Sequence, residues 1–133
     1  SEIATLLVNF SRSLIFTTAL PPVVINWNHY IFMRIVEMAN ERKKLIELSA
    51  KLRNSLIEQG LQTCGNTNIV PVVIGDNQKT VDMAEGMQEH GYLIFAIRPP
   101  TVPEGTARFR LSVTAAMGWD DIAQLPRLIK GLF

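Results

Sequence analysis

The chain has 133 residues, 47% hydrophobic and 19% charged, with a formal net charge of +1. That length holds one ordinary domain with its own core, the balance excludes a disordered chain, and near-neutrality removes the electrostatic case for nucleic acid or anionic lipid. A single cysteine, Cys64, excludes an internal disulfide and the usual cysteine-rich zinc clusters, and fits a reducing, cytoplasmic setting.

The chain opens on Ile3, Leu6 and Leu7, spaced for one helical face, so a helix is expected to about Phe10. So abrupt a start reads as a cut into a longer polypeptide. Ser11-Arg12-Ser13-Leu14-Ile15-Phe16-Thr17-Thr18 is rich in β-formers and hydroxyls and is expected to be extended as far as Pro21-Pro22. Pro22 suits the first turn of the next helix, where its missing N–H costs nothing. The most apolar stretch, residues 14–25, is broken by these prolines and too short to span a bilayer, and no signal peptide is evident, so no membrane partner is expected.

Residues 23–39 carry apolar side chains on nearly every side, among them Trp27, Ile31, Phe32, Ile35 and Val36, which implies a buried helix or one covered by a partner. After the solvated turn Glu41-Arg42-Lys43-Lys44, a stripe of Leu45, Leu48, Leu52 and Leu56 predicts a helix that stops at Gly60. Residues 61–68 are polar and loop-like. Ile69-Val70-Pro71-Val72-Val73-Ile74 reads as a strand near an edge, or one with a bulge at Pro71. Asp76 or Asn77 can cap a helix over 78–89 with an inner stripe of Val81, Met83, Ala84 and Met87, ended by Gly91.

Residues 93–97 predict the next strand, and 107–114 the third. Between them lies Arg98-Pro99-Pro100-Thr101-Val102-Pro103-Glu104-Gly105-Thr106, whose three prolines make a stiff connection that cannot belong to a central strand. In the third strand the period of two puts Phe109, Leu111 and Val113 on one face and Arg108, Arg110, Ser112 and Thr114 on the other. Residues 119–130 predict a final amphipathic helix, bent or weakened by Pro126. The expected fold is α/β or α+β: a sheet of three to four strands with helices mainly on one face, preceded by long helices. Residues 1–22 are read as a connecting arm and 23–133 as a small C-terminal domain.

Little of this supplies chemistry. His29 and His90 lie in different helices with no acidic partner at metal-ligand spacing, so no metal site is expected, and Asp120 and Asp121 read as helix-start residues. What remains is an anion site: Arg98 and Arg110 bracket a rigid loop, and a guanidinium offers paired donors to a carboxylate or phosphate. Thr17 and Thr18, just before a helix start, read either as phosphate contacts or as β-formers. Arg108 and Arg110 read either as ligands or as solvated cations.

Three motifs carry a resemblance. Asn9-Phe10-Ser11-Arg12-Ser13-Leu14-Ile15-Phe16-Thr17-Thr18-Ala19-Leu20-Pro21-Pro22, Val73-Ile74-Gly75-Asp76-Asn77, and the run from Ala96 through Arg98-Pro99-Pro100-Thr101 to Ser112 together resemble the 8-amino-7-oxononanoate synthases. These are a branch of the α-oxoamine synthase family of pyridoxal-phosphate enzymes of fold type I. The resemblance covers essentially the whole chain and implies the C-terminal small domain and connecting segment of such an enzyme. It implies a cytoplasmic acyltransferase of biotin biosynthesis that condenses L-alanine with a pimeloyl thioester, with loss of CO₂, and works as a homodimer.

Carried over, Arg110 holds the amino-acid carboxylate, Thr101 lies at the acyl-substrate site, and Thr17 and Thr18 reach the cofactor phosphate of the neighbouring subunit. Arg98 is added as a partner for the pimeloyl carboxylate or the thioester carrier. The family's Schiff-base lysine motif matches none of Lys43, Lys44, Lys51, Lys79 and Lys130, so no catalytic residue is expected in this chain, which alone is expected to be inactive. Met117 stands where the family has a histidine. The alternatives are another α-oxoamine synthase, using glycine or a different thioester, and a stand-alone non-catalytic binding module of the same fold.

Overall fold

The computed structural model describes residues 1–15 and 20–133. It divides into two compact units, Ser1–Met38 and Ala39–Phe133. Pro22 begins a helix, as its place after Pro21 led one to expect, because a first-turn proline has no hydrogen bond to lose.

In the first unit, α1 spans Glu2–Phe10, α2 Arg12–Ile15 and α3 Pro22–Glu37. The extended conformation expected from Ser11 onward is corrected for residues 12–15, which are helical; among the described residues of that stretch Ser11, with φ −78° and ψ 103°, is extended, and the rest of it lies outside them. Ser11 N–H donates to Leu7 O at 3.0 Å and Ile15 N–H to Ser11 O at 2.9 Å. Local hydrogen bonding thus overrides a β preference that is context-dependent to begin with. Thr17 and Thr18 lie outside the described residues. Helix α3 has no buried residue, Trp27 being 61% and Phe32 62% exposed. Of the two expectations for it, burial within this chain is not what the structure has.

The second unit holds α4 (Ala39–Glu58), β1 (Ile69–Gly75), α5 (Asn77–Glu89), β2 (Phe95–Ile97), β3 (Ala107–Ser112) and α6 (Leu125–Gly131). The sheet is antiparallel with order β1-β3-β2. Strand β1 is therefore an edge, which is how it tolerates Pro71. Two residues on, Val73 N–H donates to Gln62 O at 2.9 Å, away from β3, so by alternation Pro71 faces the same way and costs β3 no bond. The irregularity in β1 falls between Val73 and Gly75, not at Pro71.

The core forms where α4, α5 and α6 cover one face of the sheet. Leu52 and Leu56 of α4, Met87 of α5, Ile129 of α6 and Phe109 of β3 are all fully buried. Asp76 caps α5, its carboxylate accepting from Lys79 N–H at 2.7 Å. The expected inner stripe of α5 needs one correction, because Thr80 is buried where Val81 is half-buried. Thr80 can go inside because its hydroxyl donates to Asp76 O.

The C-terminal helix is also shorter than expected. Residues 119–124 form turns, with Ile122 N–H on Trp119 O at 3.0 Å and Leu125 N–H on Ile122 O at 3.1 Å, and α6 begins only at Leu125. Pro126 does not bend a helix; it starts one, in the first turn, where a proline removes no intrahelical bond. Replacing the buried Phe109 by alanine should open a cavity under the central strand and cost about 3–5 kcal/mol, read as a lower denaturant midpoint with an unchanged slope.

Candidate functional site

The proline loop is two turns in succession. Thr101 N–H donates to Arg98 O at 3.1 Å across the cis Pro99-Pro100 peptide, closing the first. Thr106 N–H donates to Pro103 O at 3.2 Å, closing the second, and the Thr106 hydroxyl donates to the same oxygen at 2.6 Å. Gly105 sits at the third position of the second turn with φ +72°, a conformation that a side chain disfavours. The chain enters β3 directly from this turn.

Strand β3 then alternates. Ala107, Phe109 and Leu111 are buried, Arg108 is half-buried, and Arg110 and Ser112 are exposed on the open face. Register sets their neighbours: Arg110 lies between Pro71 of β1 and Phe95 of β2, and Arg108 between Val73 and Ile97. On this face an open cleft of about 340 Å³ is lined by Ile69, Pro71, Ile97, Thr101, Arg108, Phe109 and Arg110. Two arginines and a threonine are among its lining residues, and no acidic residue is. Such a cleft favours an anionic group beside an apolar one.

The structure therefore brings Thr101 and Arg110 together. Arg98 is exposed and does not line the cleft. Arg108, read from the sequence as a structural cation once Arg110 takes the ligand role, is tied to the loop: its Nε–H donates to Thr106 O at 2.9 Å. A bond from a side chain to a carbonyl two residues back leaves no trace in spacing, so nothing in the sequence could have found it. The lysines are engaged elsewhere. Lys44 Nζ donates to Ala115 O at 2.9 Å, Lys51 Nζ lies 4.0 Å from the Trp119 ring centroid, and Lys79 Nζ donates to Phe133 O at 3.1 Å. Met117 packs against the core. Among the described residues no group of three or more His, Cys, Asp or Glu could hold a metal ion, and no helix is long and apolar enough to cross a membrane.

The profile of the family described as aminotransferase class I and II matches residues 1–129. The chain belongs to that family. It is 45% identical over 126 residues to the 8-amino-7-oxononanoate synthase of Chlorobaculum parvum, covering 95% of this chain and 32% of the relative, so it spans about a third of that protein's length. The solved 8-amino-7-oxononanoate synthase of Francisella tularensis superposes with a TM-score of 0.81 at 20% identity, over 98% of this chain and 38% of that one. A serine palmitoyltransferase from S. paucimobilis, described with PLP and myriocin bound, superposes with a TM-score of 0.75 at 26% identity, over 91% of this chain and 31% of that one. The α/β fold is thus that of the fold type I pyridoxal-phosphate enzymes, as the resemblance implied, with three strands in the sheet.

The turn at Gly105 is a sensitive point of this family member's loop. A Cβ there would meet nothing within 4 Å, so Gly105→Ala should cost only the positive-φ penalty, about 1–2 kcal/mol. Thermal unfolding of the variant measures it.

Proposed function

We propose that the chain is the C-terminal part of a pyridoxal-phosphate-dependent acyltransferase that condenses L-alanine with a pimeloyl thioester, releasing CO₂ and the thiol, to give 8-amino-7-oxononanoate. The observation that carries this reading is the cleft on β3, which Thr101 and Arg110, nine positions apart, line together with Arg108 and no acidic residue. The relatives' names support the reaction, and the Arg98-Pro99-Pro100-Thr101 motif supports the branch.

In this reading Arg110 holds the amino-acid carboxylate by a charge-assisted pair of hydrogen bonds, and Thr101 meets the acyl substrate from the rigid turn. The apolar wall of Ile69, Pro71 and Ile97 suits a methylene chain and keeps water from its length. Arg98, outside the cleft but exposed at the foot of the loop, remains placed to meet the far carboxylate or the thioester carrier. Thr17 and Thr18 are assigned to the cofactor phosphate of a neighbouring subunit in a homodimer. The exposed apolar residues of α3 support an assembly with further protein surface, and the biosynthetic role a cytoplasmic setting.

The donor set of the cleft fits carboxylates and an acyl chain rather than the cofactor's covalent bond, since no lysine lines it. When bound, pyridoxal phosphate supplies an electron sink for the carbanion formed from the amino acid. This chain's own residues bind and orient the substrates.

A second reading, another α-oxoamine synthase, is favoured by the likeness to serine palmitoyltransferase. A substrate panel on the full-length protein separates the two: alanine with a pimeloyl thioester should be turned over fastest, and preference for glycine, serine or another acyl chain would favour the second.

In the full-length protein, Arg110→Ala should raise the Michaelis constant for alanine by the equivalent of about 1.5–3 kcal/mol. Unchanged alanine affinity would remove the carboxylate assignment. This chain mixed alone with pyridoxal phosphate should yield no borohydride-stabilised lysine adduct by mass spectrometry; a stoichiometric adduct at one lysine would place the Schiff-base residue here.

A further inference from the structure

Arg108 has an arrangement that an exposed cation does not need. It is half-buried, between Val73 and Ile97 of the flanking strands, and among the described residues it has no carboxylate partner. Its Nε–H instead donates to Thr106 O at 2.9 Å. Thr106 is itself bound twice to Pro103 O, through its hydroxyl and its N–H. Pro103 lies two residues from Thr101, and Pro99 and Pro100 stiffen the other side. The carbonyl that Arg108 grips and the cleft-lining Thr101 therefore belong to one proline-stiffened loop of two hydrogen-bonded turns. Position Nε matters: it is a donor set back along the stem within a planar group, which a lysine, with its donors at the tip, does not reproduce.

We propose that Arg108 is a positioning residue that ties the proline loop to β3 and so fixes Thr101 over the cleft, setting the affinity for the acyl substrate and not for the amino acid. This rests on the reading of Thr101 as the acyl-substrate contact. Arg108 and Arg110 then divide the open face between them. The first holds the wall of the site, and the second holds a substrate carboxylate.

The test uses the full-length protein with Arg108→Met, Arg108→Lys, Thr101→Val and Arg110→Ala. The loop is read by hydrogen exchange at the Thr101 and Thr106 amides, both hydrogen-bonded in turns, and the site by steady-state kinetics with L-alanine and the pimeloyl thioester. Arg108→Met should speed exchange at both amides at least tenfold and raise the Michaelis constant for the thioester at least fivefold, with that for alanine changed less than twofold. Arg108→Lys should fall between it and the parent, and Arg110→Ala should leave loop exchange unchanged.

Unchanged exchange in Arg108→Met would overturn the tether whatever the kinetics show. A change in the alanine constant as large as that in the thioester constant would overturn the division of roles. Faster exchange with an unmoved thioester constant would overturn positioning. If Thr101→Val also leaves the thioester constant unmoved, it is the acyl-site reading that fails; if Thr101→Val raises it, that reading stands and only the role of Arg108 is lost.

Discussion

Everything on the open face depends on the register of the central strand. Strand β3 is paired on both sides, to β1 through Val72 opposite Phe109 and to β2 through Ala96 opposite the same residue. A slip of one position would drive Arg108 and Arg110 into the core and put Phe109 and Leu111 in water. Burying two unpaired guanidiniums while exposing two large apolar side chains is opposed by both desolvation and the hydrophobic effect. The register is therefore strongly specified, and with it the placement of two cations above a packed core.

The proline loop adds a second constraint at one end of that strand. Its two turns close on their own carbonyls, at Arg98 and Pro103, with one backbone bond each. What it cannot supply is its own attachment. That comes from β3, through the Arg108 side chain and the direct passage from Thr106 into Ala107. The loop and the strand thus hold the backbone of Thr101 and Arg110 beside one cleft.

Charge completes the site by what it omits. The chain as a whole is nearly neutral, and its exposed ion pairs, such as Arg34 with Glu37 at 3.3 Å and Lys43 with Glu47 at 3.9 Å, are ordinary helix-surface pairs. The cleft departs from that mixture, since both its charged residues are cationic. Net charge would never reveal it, because the local excess is balanced by acids elsewhere.

Much was legible from local pattern. The period of two in 107–112 and the leucine stripe of α4 each state which face is buried, because burial of apolar area is a near-local decision once helix or strand is chosen. The motifs around Thr101 and Arg110 were legible for the same reason: they sit on one short, continuous stretch. Errors came where a residue's role depends on partners distant in sequence or on hydrogen bonds outside a periodic pattern. Residues 12–15 turned helical through bonds to Leu7 and Ser11, Pro126 began a helix in place of bending one, and Thr80 went inside because Asp76 could accept its hydroxyl. The sequence by itself determined which side chains point together along each element. Only the tertiary structure decided that Thr101 shares a cleft with Arg110, that Arg98 stands outside it and that Arg108 grips the loop, because these follow from strand register and a side-chain reach that no spacing encodes.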